Sequence, residues 1–391
     1  MTTYLIELLR ILRNRLGFIF YVLDDEGSVY TVFEVLNSRG LEVDWLDKCK
    51  SMLMGIAFEK FQGKVASEHH QDLHKTWGNI YRLIGTKAIL GEEILRFAAT
   101  LMHDTEQSRT LSAEGAFDFF RLYCTKEPTR ILEVGKWLYE VTDQLTHLYS
   151  NPRLSAVTNI VHARLLAIAI LKSSKIDKNE REKILNLWER ITFKIFSLYR
   201  KDARTCVGEY VRTAYKVYKN HLTAKEIVHE LNKISAAYPI DQAVHEMKNS
   251  DLYNGWEKDL RYFLYRYEEY LCKEQGSEIS NDIWEQIWSK SAATTIEHIH
   301  PQAPSKNWSG KMGRGRNQLE KNVNRIGNLI LLPPHINSQA GQKTFTDKKK
   351  IYKSNFLRMH EEVIKCRDWD KDHINKREKV LLEWARETWH D

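Results

Sequence analysis

Two short apolar runs, joined by a long polar and glycine-rich segment, constrain the last quarter of this sequence most strongly. The first run, Thr295 to His300, contains an acid followed by a histidine. The second, Leu329 to Leu332, follows a turn signal at Ile326-Gly327-Asn328. Short apolar runs bounded by turn residues are typical of strands. Because Pro333-Pro334 ends the second run and favours a helix start near Asn337, the predicted order is strand, long loop, strand, helix.

Three polar side chains in these runs have the chemistry of a hydrolytic metal site. Glu297 and Asn337 each offer an oxygen of the kind that hard divalent cations bind. A neutral His298 can take a proton from an attacking water, because the ordinary pKa of histidine lies near neutrality. Successive strand residues point to opposite faces. Either the strand ends and twists between Glu297 and His298, or one of the two supports the site from outside.

Taken together, these pieces resemble the HNH (His-Me finger, ββα-metal) nucleases. The resemblance rests on Glu-His-Ile-x-Pro from Glu297, on Asn-x-Ile-Gly-Asn-Leu from Asn324, and on Asn337 downstream. It is closest to the nuclease domain of GmrSD-type (type IV, modification-dependent) restriction endonucleases, and covers residues 283–391. It implies that His298 is the general base, that Glu297 and Asn337 hold one Mg²⁺ or Mn²⁺ ion, and that Asn328 braces the site.

The same resemblance implies a role and a substrate. It predicts a metal-dependent endonuclease of an anti-phage restriction system, acting on double-stranded DNA that carries modified bases in some cases. The residues themselves do not read a modification. Two alternatives stay open at this point: an NTP-responsive nucleic-acid-binding subunit with a silent HNH site, and an RNase-type toxin.

The distribution of charge also favours nucleic acid as a partner. The chain has a net charge of +7, and the segment from Ser291 to Asp391 carries 19 Lys and Arg against 12 Asp and Glu, so it holds the whole excess. Basic residues beside a hydrolytic site neutralise phosphates and make binding salt-dependent. We predict nucleic-acid contacts from a set in and after the glycine-rich loop: Lys306, Lys311, Arg314, Arg316, Arg325 and Lys343, with Lys348, Lys349, Lys350 and Lys353 extending the track.

The N-terminal segment predicts a helix over 4–16, a strand over 18–23, a helix over 29–36, and a further helix from Trp45 to about Phe61 with Asp44 as its N-cap. The stretch from Phe33 to Gly40, followed by Asp47 and Lys48, resembles the ParB-like NTPase domain of the same family. That resemblance places three residues beside a bound nucleotide: Asn37, Arg39 and Gly40.

The family's Asp-Gly-Gln-Gln-Arg type motif does not occur upstream of Phe33. Residues 1–62 are therefore expected to be the C-terminal part of an incomplete NTPase domain, so NTP binding would need a partner chain or self-association to complete it. The local alternative is a helix-ending turn with Gly40 in a left-handed conformation.

Between these ends, residues 63–275 read as a helical spacer. Proline and glycine are scarce there, apolar residues recur at helical spacing, and the aromatic residues are expected in the core. A polar linker precedes the predicted nuclease domain at 282–391. The predicted fold class is therefore mainly α, with a small α+β ββα-metal (HNH) nuclease domain at the C-terminus and a short α/β remnant at the N-terminus.

The sequence argues against a membrane-spanning protein, a secreted protein and a zinc-knuckle protein. No apolar run reaches the roughly 18 residues that a membrane span requires, and the N-terminus lacks the pattern of a signal peptide. The five cysteines lie far apart, which favours reduced thiols and argues against a structural zinc knuckle. We expect a cytoplasmic protein with no membrane partner.

Overall fold

The structure is a computed structural model that describes residues 2–15, 43–85, 89–155, 157, 159–313, 316–354 and 357–390. The strand predicted over 18–23, the helix predicted over 29–36, Arg314 and the predicted nucleotide contacts Asn37, Arg39 and Gly40 lie outside the described residues.

Helices dominate the described residues, which confirms the mainly α prediction. In chain order they are α1 (Thr2–Asn14), α2 (Trp45–Lys60), α3 (Gly63–Ile84), α4 (Ile89–Met102), α5 (Ala113–Lys126), α6 (Ile131–Ser150), α7 (Pro152–Ser155), α8 (Val161–Lys172), α9 (Lys178–Phe193), α10 (Val207–Tyr218), α11 (Ala224–Ser235), α12 (Ile240–Met247), α13 (Glu257–Glu274), α14 (Asn281–Trp288), α15 (Ala292–Thr295), α16 (Arg316–Val323), α17 (Pro334–Ala340), α18 (Phe345–Ser354), α19 (Arg358–Ile364) and α20 (Lys371–Thr388). A π-helical turn, Lys194–Leu198, extends α9. Among the described helices, none is long and apolar enough to cross a membrane.

The chain divides into two compact units. One comprises Met1–Ala99 and Ser112–Thr142, and the other comprises Thr100–Leu111 and Asp143–Asp391. The boundaries predicted at 62 and 282 stay predictions. In the first unit Asp44 caps α2: its side chain accepts a hydrogen bond from the Leu46 amide at 2.8 Å, as an N-cap should.

Aromatic side chains from distant helices fill the core of the second unit. Phe263 of α13 lies edge-on to Trp384 of α20, with ring centroids 5.2 Å apart, and Phe193 of α9 lies 5.2 Å from Trp389. All four rings are buried, so they serve packing, as was predicted for the aromatic residues of 63–275, here Phe193 and Phe263.

The site region is built on a two-stranded antiparallel sheet. β1 (Ile296–His298) pairs with β2 (Leu329–Leu331), with Glu297 opposite Ile330. The helix α17 follows β2 directly, so the predicted order of strand, loop, strand and helix is present. The loop between the strands is more ordered than we predicted. It contains α16 and two 3₁₀ turns, Lys306–Trp308 and Ile326–Asn328.

A two-stranded sheet is marginal by itself, and its outer edges expose unpaired backbone groups. On β1, the Asn337 amide donates to the Ile296 carbonyl at 3.1 Å, and the Lys348 ammonium donates to the His298 carbonyl at 2.7 Å. On β2, the Arg377 guanidinium donates to the Leu329 carbonyl at 2.8 Å. Side chains from the helices after β2 therefore complete both edges.

Gly327 allows the closing helix to approach the sheet. A Cβ built at Gly327 would lie 2.2 Å from the carbonyl oxygen of Ile374 on α20, a distance that no side chain tolerates. The close approach lets Arg377 reach the carbonyls of Ile326, Gly327 and Leu329.

Candidate active site

β1 presents its acid and its histidine to different surroundings, because successive strand residues face opposite ways. Glu297 is 3% exposed. Its Oε1 accepts from the Lys348 ammonium at 2.6 Å and from the Tyr352 hydroxyl at 2.9 Å, both on α18. Burial raises the pKa of Glu297, while Lys348 and Tyr352 act in the opposite direction. The carboxylate thus already has a cation beside it.

His298 faces a neutral environment. Its Nε2 lies 3.0 Å from Oδ1 of Asn324, and the ring of Tyr253 packs edge-on at 4.6 Å between centroids. Burial lowers the pKa of His298 to about 4, which the hydrogen bond to Asn324 only partly opposes. The imidazole is therefore neutral at neutral pH, as a general base must be.

Asn324 links His298 to a turn upstream of α13. Its Oδ1 also accepts from Nε2 of Gln302 at 3.1 Å, and its Nδ2 donates to Oδ2 of Asp251 at 2.9 Å. The Leu252 amide donates to the backbone carbonyl of Asn324 at 3.0 Å. The turn and the segment before β2 are therefore held together at the histidine.

Asn328 is fully buried and uses its whole carboxamide. Its Oδ1 accepts from the His300 amide at 2.8 Å and from the Trp369 indole at 3.0 Å. Its Nδ2 donates to the carbonyls of His300 at 3.0 Å and Val323 at 2.8 Å. Such a group fixes the chain that leaves β1, an arrangement consistent with the bracing role proposed for it.

Asn337 lies in the first part of α17 and is half-buried. Its Nδ2 donates to the carbonyls of Thr294 at 2.8 Å and Ile296 at 3.1 Å. The structure thus brings Asn337 to the backbone of β1. Among the described residues, Asn337 and Glu297 do not bond to a common partner. The described residues also contain no group of three or more His, Cys, Asp or Glu that could hold a metal ion.

The predicted basic set divides into exposed and engaged residues. Lys306 and Lys343 are exposed, and the two segments meet where the Trp308 indole donates to the Lys343 carbonyl at 3.1 Å. Lys311 is half-buried and forms an ion pair with Asp368. The backbone of Arg316 begins α16, but its side chain lies outside the described part of the chain.

Two basic residues require correction. Arg325 is 4% exposed, and its guanidinium forms a two-pronged ion pair with Glu378 of α20, so it is not available to a phosphate. Lys348, expected in the phosphate track, is fully buried against Glu297. In both cases the partner is an acid more than fifty positions away along the chain, which no local pattern reveals.

Sequence reasoning missed several residues that the structure brings to the site: Asp251, Tyr253, Asn324, Lys348 and Tyr352. Asn324 stands at the start of the Asn-x-Ile-Gly-Asn-Leu motif, but its contact with the histidine was not predicted. Asp251 belongs to a polar turn, Asn249-Ser250-Asp251, whose composition indicates a loop and nothing more.

Comparison with known proteins supports the assignment of this region. Residues 240–384 match the family described as GmrSD restriction endonucleases, C-terminal domain. The match contains every site residue described above, from Asp251 to Glu378, and it indicates a restriction-endonuclease domain. The segment before residue 240 lies outside the match. No curated protein matches the chain.

Proposed function

We propose that the region around β1 and β2 hydrolyses phosphodiester bonds in DNA, with His298 as the general base. The observation that carries this proposal is a neutral, buried imidazole within a segment similar to a restriction-endonuclease domain. One ring nitrogen of His298 is held by Asn324, and the other has no hydrogen-bond partner among the described residues.

In this mechanism the unpartnered nitrogen of His298 takes a proton from water as the water oxygen attacks phosphorus. The bond from phosphorus to the leaving oxygen then breaks, that oxygen takes a proton from solvent water, and His298 releases its added proton to solvent. Positioned proton transfer of this kind contributes about 10²–10⁴-fold to a rate. Asn328 holds the chain after β1, and the exposed Lys306 and Lys343 neutralise neighbouring phosphates of the DNA backbone.

Glu297 and Asn337 are the residues expected to hold the predicted Mg²⁺ or Mn²⁺ ion. A divalent cation takes carboxylate oxygens directly, but the Lys348 ammonium lies 2.6 Å from Oε1 of Glu297 and already neutralises it. Asn337 meanwhile directs its amide hydrogens to backbone carbonyls. In this arrangement Glu297 and Asn337 do not fit a shared ion, so the metal stays a prediction and no step above depends on it.

The biological setting belongs to the same proposal. A restriction endonuclease of this type would act on invading phage DNA in the cytoplasm, in some cases DNA with modified bases. The nucleotide site expected around Asn37, Arg39 and Gly40 would take an NTP as its ligand.

One observation favours a second candidate, a nucleic-acid-binding subunit whose cutting site is silent. The ion pair between Glu297 and Lys348 closes the position that a catalytic cation would take in the family resemblance. Such a subunit would bind DNA but leave it intact.

A cleavage assay separates these candidates. The full chain is incubated with supercoiled plasmid or with RNA, in Mg²⁺, in Mn²⁺ and in EDTA. We expect nicking of the plasmid, and we expect His298→Ala to lose it by about 10²–10⁴-fold while DNA binding and the unfolding temperature persist. His245→Ala, which removes an exposed histidine on α12, is the matched control and should cut normally.

Cutting by His298→Ala at the normal rate would remove His298 from the proposed role. DNA binding without cutting in any ion would support the silent subunit. Cleavage of RNA alone would make the protein a ribonuclease.

A further inference from the structure

We infer that Asp251 and Asn324 are positioning residues that fix which nitrogen of His298 carries hydrogen, leaving Nδ1 as the proton acceptor. The inference concerns the same site and rests on the proposed function for its catalytic meaning.

Asp251 fixes the direction of the chain of hydrogen bonds. Its Oδ1 accepts from the amides of Tyr253 at 3.0 Å and Asn254 at 3.1 Å, and its Oδ2 accepts from the side-chain amide of Asn254 at 2.7 Å. Together with Asn324, four N–H groups point at this carboxylate. Burial alone would raise the pKa of Asp251, but these hydrogen bonds lower it overall, so the group is ionised and only accepts.

Asn324 transmits that direction to the histidine. A carboxamide has one donating end and one accepting end. Because ionised Asp251 can only accept, the end of Asn324 that faces it at 2.9 Å must be the NH₂ group. The accepting Oδ1 then faces both Nε2 of His298 at 3.0 Å and the donating Nε2 of Gln302 at 3.1 Å. The Leu252 amide holds the backbone of Asn324 in place.

The tautomer of His298 follows. An oxygen that only accepts requires a donor, so Nε2 of His298 carries the hydrogen and Nδ1 holds the lone pair. The opposite tautomer would set the Nε2 lone pair against Oδ1. The edge-on ring of Tyr253 at 4.6 Å restricts rotation of the imidazole, and the Tyr253 hydroxyl is itself tied to the Ala293 carbonyl at 3.4 Å.

The turn at Asp251 therefore acts on His298 from outside the strands. It lies before α13, whereas His298 ends β1 and Asn324 precedes β2. The chain of contacts runs from an ionised carboxylate through the Asn324 carboxamide to Nε2 of His298, so the group that bonds to the imidazole is itself neutral.

Nitrogen-15 NMR of histidine-labelled full-length protein tests this assignment, because protonated and unprotonated ring nitrogens have well-separated shifts. We expect His298 to show a protonated Nε2 and an unprotonated Nδ1, with His298→Gln used to assign the signals. Asp251→Asn removes the obligatory acceptor, so the Asn324 amide can turn over. We expect a mixture of tautomers and a fall in kcat of about ten- to a hundredfold with KM unchanged.

The double variant Asp251→Asn with Asn324→Asp provides a rescue. The new carboxamide at position 251 would donate to the new carboxylate at position 324. That carboxylate would again accept from Nε2 of His298, so the protonated Nε2 signal and much of kcat should return. Asp241→Asn removes an exposed carboxylate elsewhere in the same unit and serves as the control with an unchanged spectrum.

A wild-type spectrum with hydrogen on Nδ1 would overturn the inference, as would Asp251→Asn with unaltered tautomer and kcat. If the wild type shows the expected tautomer but cuts neither DNA nor RNA, the positioning is upheld and the proposed function is what fails.

Discussion

The two faces of β1 each bury a polar side chain, and the two side chains have different kinds of partner. On one face, Glu297 is neutralised by the Lys348 ammonium and also accepts from Tyr352, in a pocket that excludes solvent. On the other, the imidazole of His298 is held by the carboxamide of Asn324 and the ring edge of Tyr253, and no charged side chain among the described residues bonds to the ring.

The difference shows which face is prepared for chemistry. An ion pair between buried groups satisfies the charge of both, and breaking it is costly. A neutral imidazole bonded through one nitrogen keeps a lone pair for a reactant. In this arrangement the Glu297 face is structurally complete, and the His298 face is the one that can accept a proton.

Removing the Lys348 ammonium from the Glu297 face should give the largest change in stability. Lys348→Met leaves Glu297 buried without its counter-charge, so the free energy of unfolding should fall by about 3–5 kcal/mol. Chemical denaturation measures this, and Lys348→Met with Glu297→Gln, which removes both charges, should recover most of the loss. Lys350→Met, an exposed lysine of the same helix, is the control.

The Lys348→Met variant also tests whether Glu297 can bind a metal ion. If Glu297 can serve as a cation ligand, Mn²⁺ should raise the unfolding temperature of Lys348→Met and leave the double variant unaffected. An unchanged free energy of unfolding in Lys348→Met would contradict the view that this face depends on the ion pair.

Asn328→Ala should produce the next largest effect, because four hydrogen bonds of a fully buried carboxamide disappear at once. Unsatisfied buried groups cost about 1–3 kcal/mol each, and partial relaxation should bring the total loss of unfolding free energy to about 2–4 kcal/mol. Denaturant titration measures it, with the exposed Asn317→Ala as control. A loss no larger than that of the control would show that Asn328 does not brace the site.

Acid should lower the free energy of unfolding, in part through His298. Burial lowers the pKa of His298 and of His300 to about 4, below the ordinary value near 6.5. The unfolded chain therefore binds protons that the folded chain refuses, and stability should fall as the pH drops from about 6.5 towards 4.

The variant His298→Gln tests this, since its carboxamide can still donate to Asn324 but does not titrate in this range. Its unfolding free energy should depend less steeply on pH, by up to about 1.4 kcal/mol per pH unit. The exposed His229→Gln should keep the wild-type slope. An identical slope in all three proteins would show that His298 titrates normally.

The smallest effects should come from the exposed lysines. Lys306→Ala and Lys343→Ala should each weaken DNA binding slightly and lower the slope of log affinity against log salt by about 0.9. Fluorescence anisotropy at several salt concentrations measures the slope. Lys365→Ala, an exposed lysine of the same unit, is the control, and equal slopes in all variants would remove this surface from the DNA contact.

The sequence predicted the local features well. The order β1, loop, β2 and α17 follows from apolar runs, a turn signal and two prolines, all of which act over a few residues. The N-cap at Asp44 could be predicted for the same reason.

Ion pairs and hydrogen bonds between residues far apart in the sequence could not be predicted. Lys348 and Arg325 have the composition of a phosphate-binding track, yet each is engaged by an acid on a distant element. Asp251 can act on His298 through Asn324 only because the turn before α13 contacts the segment before β2. Local pattern carries no information on such meetings, because they are set by how whole helices pack.

The contact between Gly327 and Ile374 has a consequence for mutational tolerance. With a backbone oxygen 2.2 Å from where a first side-chain carbon would be, every one of the nineteen other amino acids must push α20 outward. A saturation library at this codon should yield glycine almost alone among active clones. Sequencing counts at position 327 would then show whether α20 still packs against Gly327 in any variant of this protein.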